Sequence, residues 1–161
     1  MGKKVKLGLG VVTAVAAFLF FSAAAPAAER KPVEVKKSDK CRVCGMLVAG
    51  YPNWISQVIF KDGTYALFDG PKDMFRYYFN IDKYNPSKKQ ADIEAVYVTE
   101  YYSAKFMDAK KLFFVKGSDV DGPMGFELVP IDTMEKAKEF MKDHHGKKIL
   151  EFGGVKKEDV R

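Results

Sequence analysis

Beyond residue 54 the alternation of apolar and polar positions changes period several times, and each change marks an element. Ile55, Val58, Ile59 and Phe60, then Lys61-Asp62-Gly63, then residues 64–68 read as two β-rich runs around an Asp-Gly turn, the signature of a hairpin. Asp69-Gly70-Pro71-Lys72-Asp73 reads as a helix start, with Pro near the first helical position and an acid in the first turn. Met74, Phe75, Tyr78 and Phe79 continue at helical spacing, and the helix should stop near Asn80, ahead of Asn85-Pro86. Residues 93–101 alternate as a third strand.

The pattern then recurs. Residues 111–116 form a short β-rich run, 117–125 a turn region and 126–131 another strand. Asp132, with Glu135 three positions on, resembles a capping box opening a helix. Met134, Ala137, Phe140 and Met141 are its apolar stripe, Gly146 is placed to end it, and residues 148–152 make a last strand. Strand, strand, helix, strand thus occurs twice. The expected fold is α+β: two tandem ββαβ modules, 41–103 and 104–161, packed together because neither alone buries much core. One continuous sheet with two helices on one side would satisfy the same pattern.

The chain opens differently. Lys3, Lys4 and Lys6 precede an apolar run over residues 7–21, and Ala25-Pro26-Ala27 offers a small-residue cleavage site. Residues 1–27 therefore read as a secretory signal peptide. An uncleaved membrane anchor competes, since the apolar stretch approaches the length of a span. Residues 28–40 read as a charged linker. Cleavage would remove three lysines and no acid, so half of the formal net charge of +6 belongs to the export segment. The remaining lysines alternate with acids and make no basic stripe, which gives no support to nucleic-acid binding.

Candidate chemistry is concentrated in Cys41-Arg42-Val43-Cys44-Gly45-Met46, which holds both cysteines of the chain. Covalent haem attachment needs His directly after the second Cys, and Gly45 stands there. A structural zinc site needs a second ligand pair, and the only histidines, His144 and His145, are adjacent. A thioredoxin-like motif follows a strand, whereas this one follows the linker. Thiolate and thioether donors select Cu(I) over hard cations, so a soft-metal site survives. Cys44 and Met46 would share one face of an extended segment, with Gly45 freeing the backbone between them. Its rival is a disulfide between Cys41 and Cys44, which export into an oxidising compartment would permit and which opens the alternative of a thiol–disulfide oxidoreductase. Met74, Met134 and Met141 belong to helix stripes, while Met46 and Met124 each lie beside glycine. His144 and His145 stand near a helix C-terminus, where protonated imidazole favours the dipole; His145 is an additional candidate ligand. Asp69, Asp73 and Glu100 show no arrangement that singles out acid–base catalysis, and no nucleophile–base pair or phosphate loop is present.

Cys-x-x-Cys-Gly-Met with Tyr51-Pro52-Asn53-Trp54, then Phe68-Asp69-Gly70-Pro71-Lys72-Asp73-Met74, resembles the NosL family. Gly122-Pro123-Met124-Gly125, Glu127-Leu128, Pro130, Ala137, Phe140 and His145-Gly146 continue the likeness through nearly all of the chain after the leader. The resemblance implies a non-catalytic, exported Cu(I)-binding protein that delivers copper to nitrous oxide reductase together with that enzyme's assembly proteins. It implies Cys44, Met46 and Met124 as copper ligands, with Cys41 additional to the Cys-x-Met pattern. Typical members are lipoproteins. No cysteine ends the apolar run here, so the expectation is a periplasmic protein without a lipid anchor.

Overall fold

The computed structural model describes residues 1–2 and 30–161, so the expected signal peptide lies almost wholly outside the described residues. The first unit contains β1 (Ser56–Phe60), β2 (Tyr65–Phe68), α1 (Pro71–Phe79), the single-turn α2 (Ile81–Tyr84), β3 (Ile93–Thr99) and β4 (Phe106–Asp108). The second contains β5 (Phe113–Gly122), β6 (Gly125–Ile131), α3 (Met134–Asp143) and β7 (Lys148–Glu151). The first sheet is antiparallel in the order β2-β1-β3-β4 and the second in the order β6-β5-β7. The α+β class and the repeated strand, strand, helix, strand order hold.

Why the elements stack as they do follows from which faces are apolar. Helix α1 lies between the two sheets. Tyr77 packs on Phe68 of the first sheet, with ring centres 5.1 Å apart, while Phe75 meets Phe114 of the second at 5.1 Å. Phe114, Leu128 and Leu150 point from the second sheet into this shared core. Val115, Val129 and Ile131 point the other way, onto Ala137 and Phe140 of α3. The second sheet is therefore covered on both faces where Phe113–Val115 of β5 and Leu128–Ile131 of β6 lie, and there consecutive residues are apolar. Helix α1 is buried on more than one stripe: Met74, Phe75 and Tyr77 are all fully inside.

Several sequence expectations shift in detail. Thr133, not Asp132, caps α3, its hydroxyl accepting from the Lys136 N–H at 3.3 Å, while Asp132 pairs with the Lys136 ammonium. The left-handed residue that ends α3 is His145, at φ 54°, and Gly146 follows it. The turn region expected over 117–125 contracts, because β5 runs on to Gly122 and pairs there with Gly125. Only Pro123 and Met124 remain at the tip, and Gly125 after them takes the positive φ of 77° of a left-handed residue that follows the turn in a bulged hairpin. Strand β4 lies in a stretch that carried no strand signal; at three residues it is too short to show a period, and it joins the first sheet through β3. The described part of the charged segment is held in place. Val33 exchanges two hydrogen bonds with the Gln57 side chain, and Arg30 accepts from Tyr97 through its carbonyl. No helix among the described residues is long and apolar enough to cross a membrane.

Candidate metal centre

The cysteine loop closes on itself. The Cys41 N–H donates to the Met46 carbonyl at 2.8 Å, and the Gly45 N–H donates back to the Cys41 carbonyl at 3.0 Å. Gly45 makes this possible with a φ of 80°, a value that a side chain would strain. The segment is thus a turn and not the extended run inferred from spacing. The Arg42 N–H donates to the Leu67 carbonyl at 3.0 Å and docks the loop on the end of β2. Cys41 is buried, Cys44 is half-buried, and both thiols are free.

Docking there sets the sulfurs over the start of α1. The Cys44 thiol lies 3.3 Å from Asp69 Oδ2, and the Cys41 thiol 3.4 Å from Asp73 Oδ2. One ligand atom from each of Cys41, Cys44, Asp69 and Asp73 lies within 4.8 Å of the other three. Such a group could hold a metal ion. Asp73 is further braced by Arg76, 3.0 Å from its other oxygen. Asp69 is 1% exposed, and its Oδ1 is buried with no hydrogen-bond partner. A buried, unpaired carboxylate oxygen is costly unless something positive completes it. Two soft sulfur donors and two carboxylates at one point fit a bound cation.

Burial raises the Cys41 thiol far above its ordinary range, and raises Cys44 as well. Oxidoreductase Cys-x-x-Cys motifs use the opposite shift, a lowered pKa that exposes a thiolate. The redox alternative loses its main physical support. A metal ion is less affected, because it displaces the proton itself.

The other residues singled out in the sequence lie in different places. Met46 is half-buried within the loop, one bond beyond Gly45. Met124 tips the β5–β6 hairpin and is 45% exposed. Its carbonyl nevertheless accepts from Lys72 Nζ at 2.7 Å, which ties the hairpin to the same first turn of α1 that carries Asp73. His145 is exposed at the end of α3 and does not join the four-residue group. Its neighbour His144 stacks on Phe140 and reaches Asp119 at 3.0 Å. Asp69 and Asp73 were missed as partners of the thiols. The one signal that could have found them is the Asp-Gly-Pro-Lys-Asp helix start itself, which sets one acid just before the helix and one in its first turn.

Comparison with known proteins gives this arrangement a family. The NosL family profile matches residues 32–160. The chain belongs to the NosL family. A curated relative, the copper-binding lipoprotein NosL of Stutzerimonas stutzeri, is 25% identical over 130 residues, covering 76% of this chain and 64% of its own length. The chain thus spans a little under two thirds of that relative. The crystal structure of the copper chaperone NosL from Shewanella denitrificans superposes with a TM-score of 0.68 at 20% identity, over 82% of this chain and 99% of that one, which shows a shared fold. The expectation of a periplasmic protein free of the membrane is corrected here, because the curated relative is a lipoprotein. That expectation tested only one attachment, a cysteine after the apolar run. Anchoring depends on how much apolar area enters the bilayer and not on one residue type.

Proposed function

We propose that this NosL protein carries Cu(I) and passes it to an acceptor cuproenzyme, of which nitrous oxide reductase with its assembly proteins is the leading candidate. The observation that carries the reading is the convergence of two thiols and two carboxylates within 4.8 Å, with an unpartnered buried oxygen on Asp69. The names of its relatives supply the copper, and the soft donors supply the oxidation state. Membrane attachment, as the lipoprotein relative's name indicates, belongs to the same reading.

In this reading Cys44 gives up its proton and binds as thiolate, because it is the more exposed of the pair and the less strongly raised. Exchange of the Cys44 proton for Cu(I) leaves the net charge of the half-buried site unchanged, which is cheaper than adding a charge to it. Cys41 stays protonated beneath it and donates toward Asp73. Met46 and Met124 complete the set as neutral thioethers, the first from the loop and the second from the hairpin. Thioethers are weak donors, so an acceptor's ligands can replace them while the thiolate still holds the ion. The cargo never has to be free.

The test is an anaerobic competition against a cuprous chelator. Cys44→Ser should abolish tight binding, beyond the about 100-fold that loss of an outer-shell partner costs. Cys41→Ser should cost less, within about 10- to 100-fold. Unchanged affinity in the Cys44 variant would reject the assignment.

A further inference from the structure

Lys72 is 2% exposed, a rare condition for a lysine. Its ammonium donates to two carbonyls of the hairpin, Met124 and Phe126, each at 2.7 Å, and lies 4.1 Å from the centre of the Phe126 ring. Its backbone N–H donates to Glu127 Oε1 at 2.5 Å, an oxygen that also accepts from the Leu128 N–H at 2.8 Å. Glu127 is itself buried, and its carboxylate is wedged between two glycines. A Cβ on Gly70 would come within 2.2 Å of Glu127 Oε2, and one on Gly122 within 3.0 Å. The start of α1 and the hairpin are therefore locked together by the Lys72 ammonium on two hairpin carbonyls and by Glu127 accepting from the Lys72 backbone N–H, at a place where the glycines leave room for the buried carboxyl group.

That lock is placed oddly for a fold staple. Pairing of Gly122 with Gly125 already shapes the turn, and packing of Phe114 and Leu128 on α1 already joins the units. Apolar residues would do the same work without the cost of desolvating a lysine and a glutamate. The lysine is instead flanked by Asp69 and Asp73, which face Cys44 and Cys41, while its head holds the backbone of Met124. The Met124 side chain remains exposed.

We propose that Lys72, braced by Glu127, is the positioning residue that sets the reach of Met124 to the sulfur–carboxylate cluster, so that one turn of α1 sets both the fixed and the releasable donors. This rests on the reading of Met124 as a copper ligand. It makes the hairpin the part of the site that an acceptor can displace: pulling the Met124 carbonyl off Lys72 withdraws a donor without disturbing either cysteine.

Charge and position predict opposite signs for removing the lysine. Lys72 is a cation within electrostatic range of Asp69 and Asp73. If it acted by charge alone, Lys72→Met would tighten binding of a cation. If it positions Met124, the same change weakens binding by about 10- to 100-fold, the usual cost of losing a supporting partner. The experiment is a double-mutant cycle of Cu(I) affinity on the full chain, with Lys72→Met, Met124→Leu and both together. It is read alongside methyl-labelled methionine NMR of the protein with and without Cu(I). Expected are a weaker Lys72→Met variant, little further loss on adding Met124→Leu, and a metal-induced shift of the Met124 methyl that vanishes while that of Met46 persists. Additive losses, tighter binding, or an undisturbed Met124 shift would overturn the proposal. If Lys72→Met does not fold, Lys72→Gln replaces it, keeping one donor pair and giving a smaller loss in the same pattern. Failure of the copper-ligand reading looks different: Met124→Leu alone would then leave affinity unchanged, and the Met124 methyl would not shift in the unaltered protein.

Discussion

Two helix starts in this molecule follow the same strand-to-helix step and end in opposite chemistry. Asp69 follows β2 and precedes α1; Asp132 follows β6 and precedes α3. Asp132 reaches Lys136 four residues on, at 2.6 Å, in a pair open to water. Each acid keeps one buried oxygen without a partner, but Asp69 as a whole is sealed, at 1% exposed, and its other oxygen faces the Cys44 thiol. The difference lies in what covers each helix. Helix α3 lies outermost and buries only Ala137 and Phe140. Helix α1 lies between two sheets, and the cysteine loop closes over its first turn. Water can satisfy an acid at a surface helix start; at a buried one the fold must supply a partner. Here it supplies thiols, a lysine and space for an ion.

The contrast can be broken most directly at Asp69. Asp69→Asn keeps the shape and removes the charge, and should weaken Cu(I) binding about 10- to 100-fold in chelator competition. Loss of no more than twofold would mean that the acid is not part of the site. Next in size, Gly70→Ala should destabilise the fold by about 1–3 kcal/mol, as overpacking does, because the new methyl would meet Glu127 Oε2. Denaturant midpoints report this, and a silent substitution would show that the lock between α1 and the hairpin is loose.

A third expectation concerns pH and separates the two cysteines. Both thiols are raised above the ordinary value of 9.0, so both are protonated in the copper-free protein near neutrality. Binding through Cys44 alone releases one proton, so affinity should rise about tenfold per pH unit and fall equally as pH drops. If Cys41 also ionised on binding, the slope would be about a hundredfold per unit. The smallest effect belongs to the second helix start. Asp132→Asn should cost less than about 1 kcal/mol, as for other exposed pairs, and leave copper affinity unchanged. A loss matching that of Asp69→Asn would erase the distinction between the two helices.

The sulfur donors proposed for copper show the same division. The cysteine loop is fixed by its own backbone hydrogen bonds, whereas Met124 is placed through a contact with a distant helix. The loop could be recognised from six consecutive residues. The placement of Met124 could not, since Lys72 in the sequence looks like any lysine in the first turn of a helix, where solvent exposure is the usual outcome.

The sequence by itself determined the order of the longer elements, the repeat, the paired thiols and the family, because periodicity, turn chemistry and short motifs depend on residues close together in the chain. It could also mark α1 and both glycine-flanked methionines. Only the tertiary structure decided that Asp69 faces Cys44 across 25 residues, and that Lys72 meets Glu127 across 55. It also decided that a strand with no pattern of its own, β4, completes the first sheet. The physical reason is common to all three: a buried polar group or an edge strand is satisfied by whatever the fold brings to it, and its chain neighbours do not record that partner.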